Sequence, residues 1–270
     1  MLNVIIRGGG DLASGIAVRL HHSGINVIIT EIEKPLTVRR YVSFAEAVYT
    51  RSIQIEEIKA NLVTSHSDIQ KCFEENIIPV IVDENLSICN SFSADVLIDA
   101  RMLKKTVEKV SSYSIPQIIG IGPGFYPREN CDCVVETKRG PFLGRVYWND
   151  PVEADSGIPE NVRGYDNERV LRAPKAGIFK AKCRIGDIVI KDEEIASVNG
   201  ESIRAPFAGV IRGLLHEGVT VFPGMKAGDL DPRSDPLLCS LVSDKALAVG
   251  GGVLEAILAV PLNRQKICTP

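Results

Sequence analysis

Short β-branched runs alternate with helix-like stretches through the first half of the chain. Asn3 to Ile6, Asn26 to Thr30, Ile78 to Val82, Val96 to Asp99 and Gln117 to Ile121 are almost free of charge and bounded by turn residues, the pattern of short buried strands. Asp11 to Ser23 and Ser67 to Glu75 carry helical spacing. In the second of these, Ile69, Cys72 and Phe73 form the apolar stripe, with Ser65 or Ser67 as the cap. Strands alternating with helices predict parallel pairing through crossover helices over residues 1–148, a Rossmann-like nucleotide-binding domain.

The pattern then breaks. Residues 149–168 hold six acidic side chains, two prolines, two glycines and a single Arg without periodicity, and read as a linker. Beyond it the chain repeats itself with an offset of 32 positions. Ala173-Pro174-Lys175-Ala176-Gly177-Ile178 returns as Ala205-Pro206-Phe207-Ala208-Gly209-Val210, Gly186 as Gly218, and Val189 as Val221. Two copies rich in Gly, Pro and short β segments predict a pseudo-twofold pair of β units over residues 169–242, since a solenoid needs at least three repeats. Asn199-Gly200 falls between the copies as a hairpin turn. A helix over residues 243–260 closes the chain, with Ser243 as cap and Asp244 in its first turn. Gly250-Gly251-Gly252 marks either a break in it or a very close backbone contact.

Residues 169–232 resemble the biotinyl/lipoyl-like barrel-sandwich family, which carries a modifiable Lys at its hairpin tip. Here the tip reads Ser197-Val198-Asn199-Gly200-Glu201-Ser202, so no biotin or lipoate is expected, and the module reads as a surface for docking or for contact between copies of the chain. The predicted class is α/β: a Rossmann-like parallel sheet domain, then a small barrel-sandwich β domain and a C-terminal helix.

The composition narrows the partners. With 31 basic against 34 acidic residues among 270, the net charge is −3 and no basic footprint for nucleic acid emerges. The longest charge-free stretch, Val110 to Pro127, contains three prolines and three glycines, so no membrane span and no signal peptide is expected, and a cytoplasmic location follows. Seven scattered cysteines read as thiols rather than as a disulfide framework.

Gly8-Gly9-Gly10-Asp11-Leu12-Ala13 follows an apolar strand and precedes a helix, the context of a dinucleotide fingerprint. In that reading Gly8 permits the tight turn, Gly10 lets a pyrophosphate approach the backbone, and Ala13 allows close helix packing. Glu31 lies 21 residues beyond Gly10, where a carboxylate accepts ribose hydroxyls and repels a 2′-phosphate, so NAD is expected and NADP is not. Gly120, Gly122 and Gly124 form a second Gly-rich turn at the end of a strand, either a ligand contact or a chain reversal. Cys131 and Cys133 are spaced to share one face of an extended segment, as a chalcogen relay or as inert core thiols. No metal site is expected from four scattered histidines. Arg39 and Arg40 read mainly as a solvated basic face, and no Ser/His/Asp arrangement is visible.

Taken in order, Val4 to Gly15, Ile119 to Phe125, Val135 to Gly140, Leu143 to Val146, Arg169 to Pro174 and Gly228 to Arg233 resemble the selenium-dependent molybdenum hydroxylase accessory family, related in role to xanthine dehydrogenase accessory factors. The resemblance implies a maturation factor for a molybdenum hydroxylase client, with the molybdopterin cytosine dinucleotide or NAD as the bound dinucleotide. It supplies no catalytic residue, so whether the chain is an enzyme stays open. An NAD-dependent oxidoreductase and a non-catalytic scaffold are the alternatives.

Overall fold

The computed structural model describes residues 2–103, 105–110, 113–154, 157 and 161–267, with side chains described up to residue 259. Its first unit opens with β1 (Asn3–Arg7), α1 (Asp11–His22) and β2 (Asn26–Glu31). The short α2 (Ala47–Thr50) leads into β3 (Ser52–Ile55) and β4 (Ile58–Val63). α3 (His66–Glu74), β5 (Ile78–Val82), β6 (Val96–Asp99), β7 (Gln117–Ile121), β8 (Cys133–Val135) and β9 (Val146–Tyr147) complete it. These strands form one nine-stranded sheet in the order β3-β4-β5-β2-β1-β6-β7-β8-β9. The middle is parallel, whereas β3 with β4 and β8 with β9 pair antiparallel at the two edges.

The five apolar runs form strands because each buries β-branched side chains on both faces; Val4, Ile5 and Ile6 are fully buried. α3 starts one residue before its expected position. Ser65 Oγ accepts the Asp68 N–H and Asp68 answers by accepting the Ser65 N–H, a capping box that fixes the first turn.

The second unit holds β10 (Val170–Arg172), β11 (Gly177–Ala181), β12 (Ile188–Val189), β13 (Glu194–Val198), β14 (Glu201–Arg204), β15 (Gly209–Leu214), β16 (Thr220–Val221) and β17 (Lys226–Asp231). They form two four-stranded sheets, β10-β17-β15-β12 and β14-β13-β11-β16, and every pairing is antiparallel. Shifting the first order by one repeat, 32 residues, reproduces the second with the copies exchanged. Asn199 and Gly200 take φ of +46° and +83° between β13 and β14, as a tight hairpin turn requires.

The expected fold class is corrected by these pairings. The first sheet is mixed rather than a parallel Rossmann-like sheet, because β3 and β9 run back antiparallel against β4 and β8 at its two edges. The second unit is two separate four-stranded sheets rather than a barrel-sandwich domain: among the described residues no strand pairing passes from one sheet to the other, and Val38 and Tyr49 of the first unit pack onto their shared core. The helix after the sheets, α4 (Asp244–Ile267), is no appendage either. Its residues Ala246, Val249, Val253 and Ala256 are buried in the core of the first unit, against α1.

Ser243 Oγ accepts the Ala246 N–H at the start of α4. The glycine triplet does not break the helix. A Cβ at Gly15 of α1 would lie 2.5 Å from the Ala246 Cβ, one at Gly250 would lie 2.9 Å from the Gly15 carbonyl oxygen, and one at Gly252 would overlap the Gly144 carbonyl. Small residues at these points let the α4 backbone nearly touch both α1 and the turn at Gly144. The segment Pro236–Ala259 is long and apolar enough, by length and composition, to cross a membrane, and 39% of that window is buried inside the protein.

Candidate functional site

Strand order reverses at β1, from which the chain moves to β2 on one side and β6 on the other, and a crevice opens where loops leave the sheet in opposite directions. A cavity of about 730 Å³ fills that crevice. Gly8, Gly10, Asp11 and Ala13 line it from the β1–α1 turn, Glu31 from the end of β2, and Arg101 and Met102 from beyond β6. The sequence therefore brings its first-turn candidates and Glu31 together.

The three glycines of the turn do different work. Gly8 has φ of +93°, a backbone that favours glycine. Gly9 is sealed: a Cβ there would sit 2.9 Å from the Ala45 nitrogen. Gly10 is open, with the Thr37 methyl as the nearest atom to an added Cβ at 3.8 Å, and it stands as N-cap of α1 without any side-chain cap. Helix geometry leaves the first N–H groups of α1 without intrahelical acceptors at this edge.

Glu31 closes the turn. Its Oε1 accepts the Gly9 N–H at 2.6 Å and its Oε2 accepts the Ile32 N–H at 2.9 Å. Burial pushes its pKa above the usual carboxylate value, and these two hydrogen bonds oppose the shift without cancelling it. Beside it, Thr30 is 1% exposed and its Oγ1 has no hydrogen-bond partner, and the hydroxyl of Thr37 on the same wall is likewise buried and unpartnered. Two orphaned hydroxyls next to an open glycine fit a polar ligand.

Arg39 is a functional candidate that sequence reasoning set on a solvated face. It is 7% exposed, pairs with Asp11 at 3.1 Å and donates to the Leu238 and Leu241 carbonyls. Burial and the neighbouring Arg212 draw its pKa below the ordinary value, while Asp11 works the other way. On the far side of the cavity Asp99, 2% exposed, is gripped by both Arg101 and Arg7. The clue available in the sequence was position alone: Arg39 follows β2 and Asp99 ends β6, both on the ligand edge of the sheet.

The second glycine turn is corrected to packing. A Cβ at Gly120 would enter the Phe125 ring, one at Gly122 would meet the Thr137 hydroxyl at 2.8 Å, and one at Gly124 would overlap the Lys105 carbonyl. Gly120, Gly122 and Gly124 thus accommodate the protein's own atoms, and none of them lines the cavity.

Cys131 and Cys133 are corrected as well. They are 7% and 0% exposed and belong to different apolar clusters, Cys131 beside Val107 and Phe125 and Cys133 beside Ile119 and Val135. Only Cys133 lies in β8, so the expected shared face is absent. Burial pushes the Cys131 thiol up to about 12 and raises Cys133 further, which removes the thiolate that a relay needs. Among the described residues no group of three or more His, Cys, Asp or Glu is placed to hold a metal ion.

No family model matches the chain. It is 41% identical over 255 residues to YqeB, an uncharacterized protein of Escherichia coli strain K12. The match covers 94% of this chain and 47% of that protein, so the chain spans about half the length of the curated relative it matches. Among solved structures, an aspartoacylase family protein from Mesorhizobium loti aligns at 12% identity over 85% of this chain and 84% of that one, with a TM-score of 0.28. A succinylglutamate desuccinylase from Silicibacter sp. aligns at 11% identity over 85% and 84%, with a TM-score of 0.25. TM-scores this low do not amount to a shared fold.

Proposed function

We propose that this chain binds an anionic dinucleotide in the cavity beside Gly10 and serves as a cytoplasmic accessory factor in maturing a selenium-dependent molybdenum hydroxylase. The observation that carries the binding half is the contrast among the glycines. Gly9, Gly120, Gly122 and Gly124 are filled by protein, whereas Gly10 faces open space at the positive end of α1. A pyrophosphate fits there, with ribose hydroxyls within the province of Glu31, whose carboxylate oxygens keep lone pairs beyond those used by Gly9 and Ile32. The molybdopterin cytosine dinucleotide and NAD both present such groups. The motifs from Val4 to Arg233, read in order, support the maturation half and the hydroxylase client.

The hydride-transfer alternative has less support. A proton-handling side chain is needed near the reacting carbon, yet Asp11 is tied to Arg39 and Asp83 caps the Ser87 and Ile88 N–H groups.

Calorimetry with NAD, NADP and the cytosine dinucleotide tests binding. Gly10 has φ of −66° and ψ of −176°, a conformation open to any L-residue, so Gly10→Val fills the cavity edge without backbone strain. Loss of dinucleotide binding in Gly10→Val is expected, with Glu31→Ala losing about 1.5–3 kcal/mol toward ligands that present ribose hydroxyls. NADP is expected to bind more weakly than NAD. Parental affinity in Gly10→Val would overturn the binding reading, and undiminished hydroxylase activity in cells lacking the chain would overturn the maturation reading.

A further inference from the structure

A second cavity, of about 600 Å³, adjoins the first, and Asp11, Leu12, Arg39, Met102 and Lys226 line both. Its character is different. Eight Lys and Arg side chains line it against four carboxylates, the cations drawn from five stretches of sequence: the loop after β2, the segment after β8, each of the two repeat units and the start of α4. Arg139 is paired with Asp244 and Arg212 with Asp231 as well as Asp229, so the cations that bear on a ligand here are Arg172 and Lys226, both exposed at the half-open mouth of the cavity.

Several of the carboxylates are already engaged. Glu136, 1% exposed, accepts backbone N–H groups from Thr137, Lys138 and Glu153. Asp229 lies between Arg169 and Arg212 at 3.6 and 3.5 Å. Lys138 pairs with Glu153. Arg172 and Lys226 have no carboxylate partner among the described residues. Arg172 is oriented by one bond, from its Nη1 to the Gly224 carbonyl at 2.9 Å, which leaves further guanidinium donors for a ligand. Such a half-open basic cavity, with planar guanidinium groups beside ammonium groups, suits a compact multiply charged anion.

We propose that this basic cavity binds a phosphomonoester or free tetrahedral oxyanion as a second ligand, held beside the dinucleotide and separated from it by the Arg39 and Lys226 wall. This inference rests on the dinucleotide reading only for its neighbour. The 730 Å³ cavity lies within the range of sites that take small ligands by themselves, about 300–1,000 Å³, so the basic cavity is left for another molecule.

The test uses the full chain with inorganic phosphate and with glycerol phosphate, titrated calorimetrically in the absence and presence of NAD. One anion per chain is expected, weakened at least tenfold in Arg172→Ala and in Arg172→Glu, largely kept in Arg172→Lys, and kept in Gly10→Val while NAD binding is lost. Arg172→Ala is expected to bind NAD like the parent. Parental anion affinity in both Arg172→Ala and Arg172→Glu, or an anion lost in Gly10→Val and kept in Arg172→Ala, would overturn the proposal, the latter because it places the anion at the α1 terminus. Displacement of phosphate by NAD would overturn the claim of a second ligand even if both bind. Failure of NAD to bind anywhere, with the Arg172 dependence intact, would leave the basic site standing and remove only its neighbour.

Discussion

Gly9 donates its backbone N–H to Glu31 Oε1 at 2.6 Å, across the crevice end of two parallel strands. The bond fixes the turn from which Gly10 opens and places a buried carboxylate beside the candidate ligand. Because burial raises the Glu31 pKa, the folded protein holds this proton more tightly than the unfolded chain does. The stability linked to that shift is fully present below the ordinary carboxylate pKa and is lost as pH rises through the raised value. Urea unfolding of the parent and of Glu31→Gln should show the parent's advantage shrinking from pH 4 to pH 7. An advantage that grows with pH would contradict this account.

Asp231 titrates with the opposite sign. Burial by itself would raise its pKa, yet hydrogen bonds from the Arg233 side chain and backbone, with the charges of Arg233 and Arg212, hold it well below the usual range. Its contribution is therefore present above the ordinary Asp pKa and is lost as pH falls toward the depressed one. Asp231→Asn, which leaves a half-buried Arg cluster without its anion, should cost about 3 kcal/mol at neutral pH, the low end for a broken buried pair because Arg233 is 37% exposed. The loss should fade in strong acid, as followed by chemical unfolding.

Adjacent glycines in α4 are expected to respond in opposite directions. Gly251 has nothing within 4 Å of an added Cβ, so Gly251→Ala should stabilise the protein by up to about 1 kcal/mol through helix propensity. Gly250→Ala drives a methyl into the Gly15 carbonyl and the Arg19 stem and should destabilise by about 1–3 kcal/mol. Thermal unfolding of the two variants decides; equal shifts would mean that α1 and α4 are not in such close contact.

Alkylation should separate the thiols. Cys183, only partly buried, is expected to react in the native protein, while Cys131 and Cys133 stay unmodified between pH 7 and 9 until the chain unfolds. Mass mapping of the labelled sites is the measurement, and rapid native labelling of Cys131 would restore it as a relay candidate.

The strands of the parallel region were legible because they are short unbroken β-branched runs bounded by turn residues, as Val4, Ile5 and Ile6 or Val96 to Asp99 are, and all of these are buried. β3 was not, since Ser52–Ile55 is only four residues long with Ser52 and Gln54 exposed, and its pairing with β4 is what fixes it as a strand. The 32-residue repeat announced two related β units, but their division into two sheets depends on pairings between strands of different copies. At the site, Gly10 and Glu31 were visible from local spacing. Arg39 was not, because its burial comes from Leu238 and Leu241, some 200 residues away. The second glycine turn misled for the same reason: its space is taken by Phe125, Thr137 and Lys105, and a list of glycines does not say what fills them.

The return of α4 to α1 makes the first unit discontinuous, with the β unit inserted between its parts. Synthesis therefore begins one core and ends it only after the other has been made. While residues 169–242 leave the ribosome and pair locally, the Gly15 face of α1 stays bare, and with it an apolar seam open to solvent and to other nascent chains. The inserted unit is the one equipped to close early, and the crevice beside Gly10, built on α1, takes its final shape late.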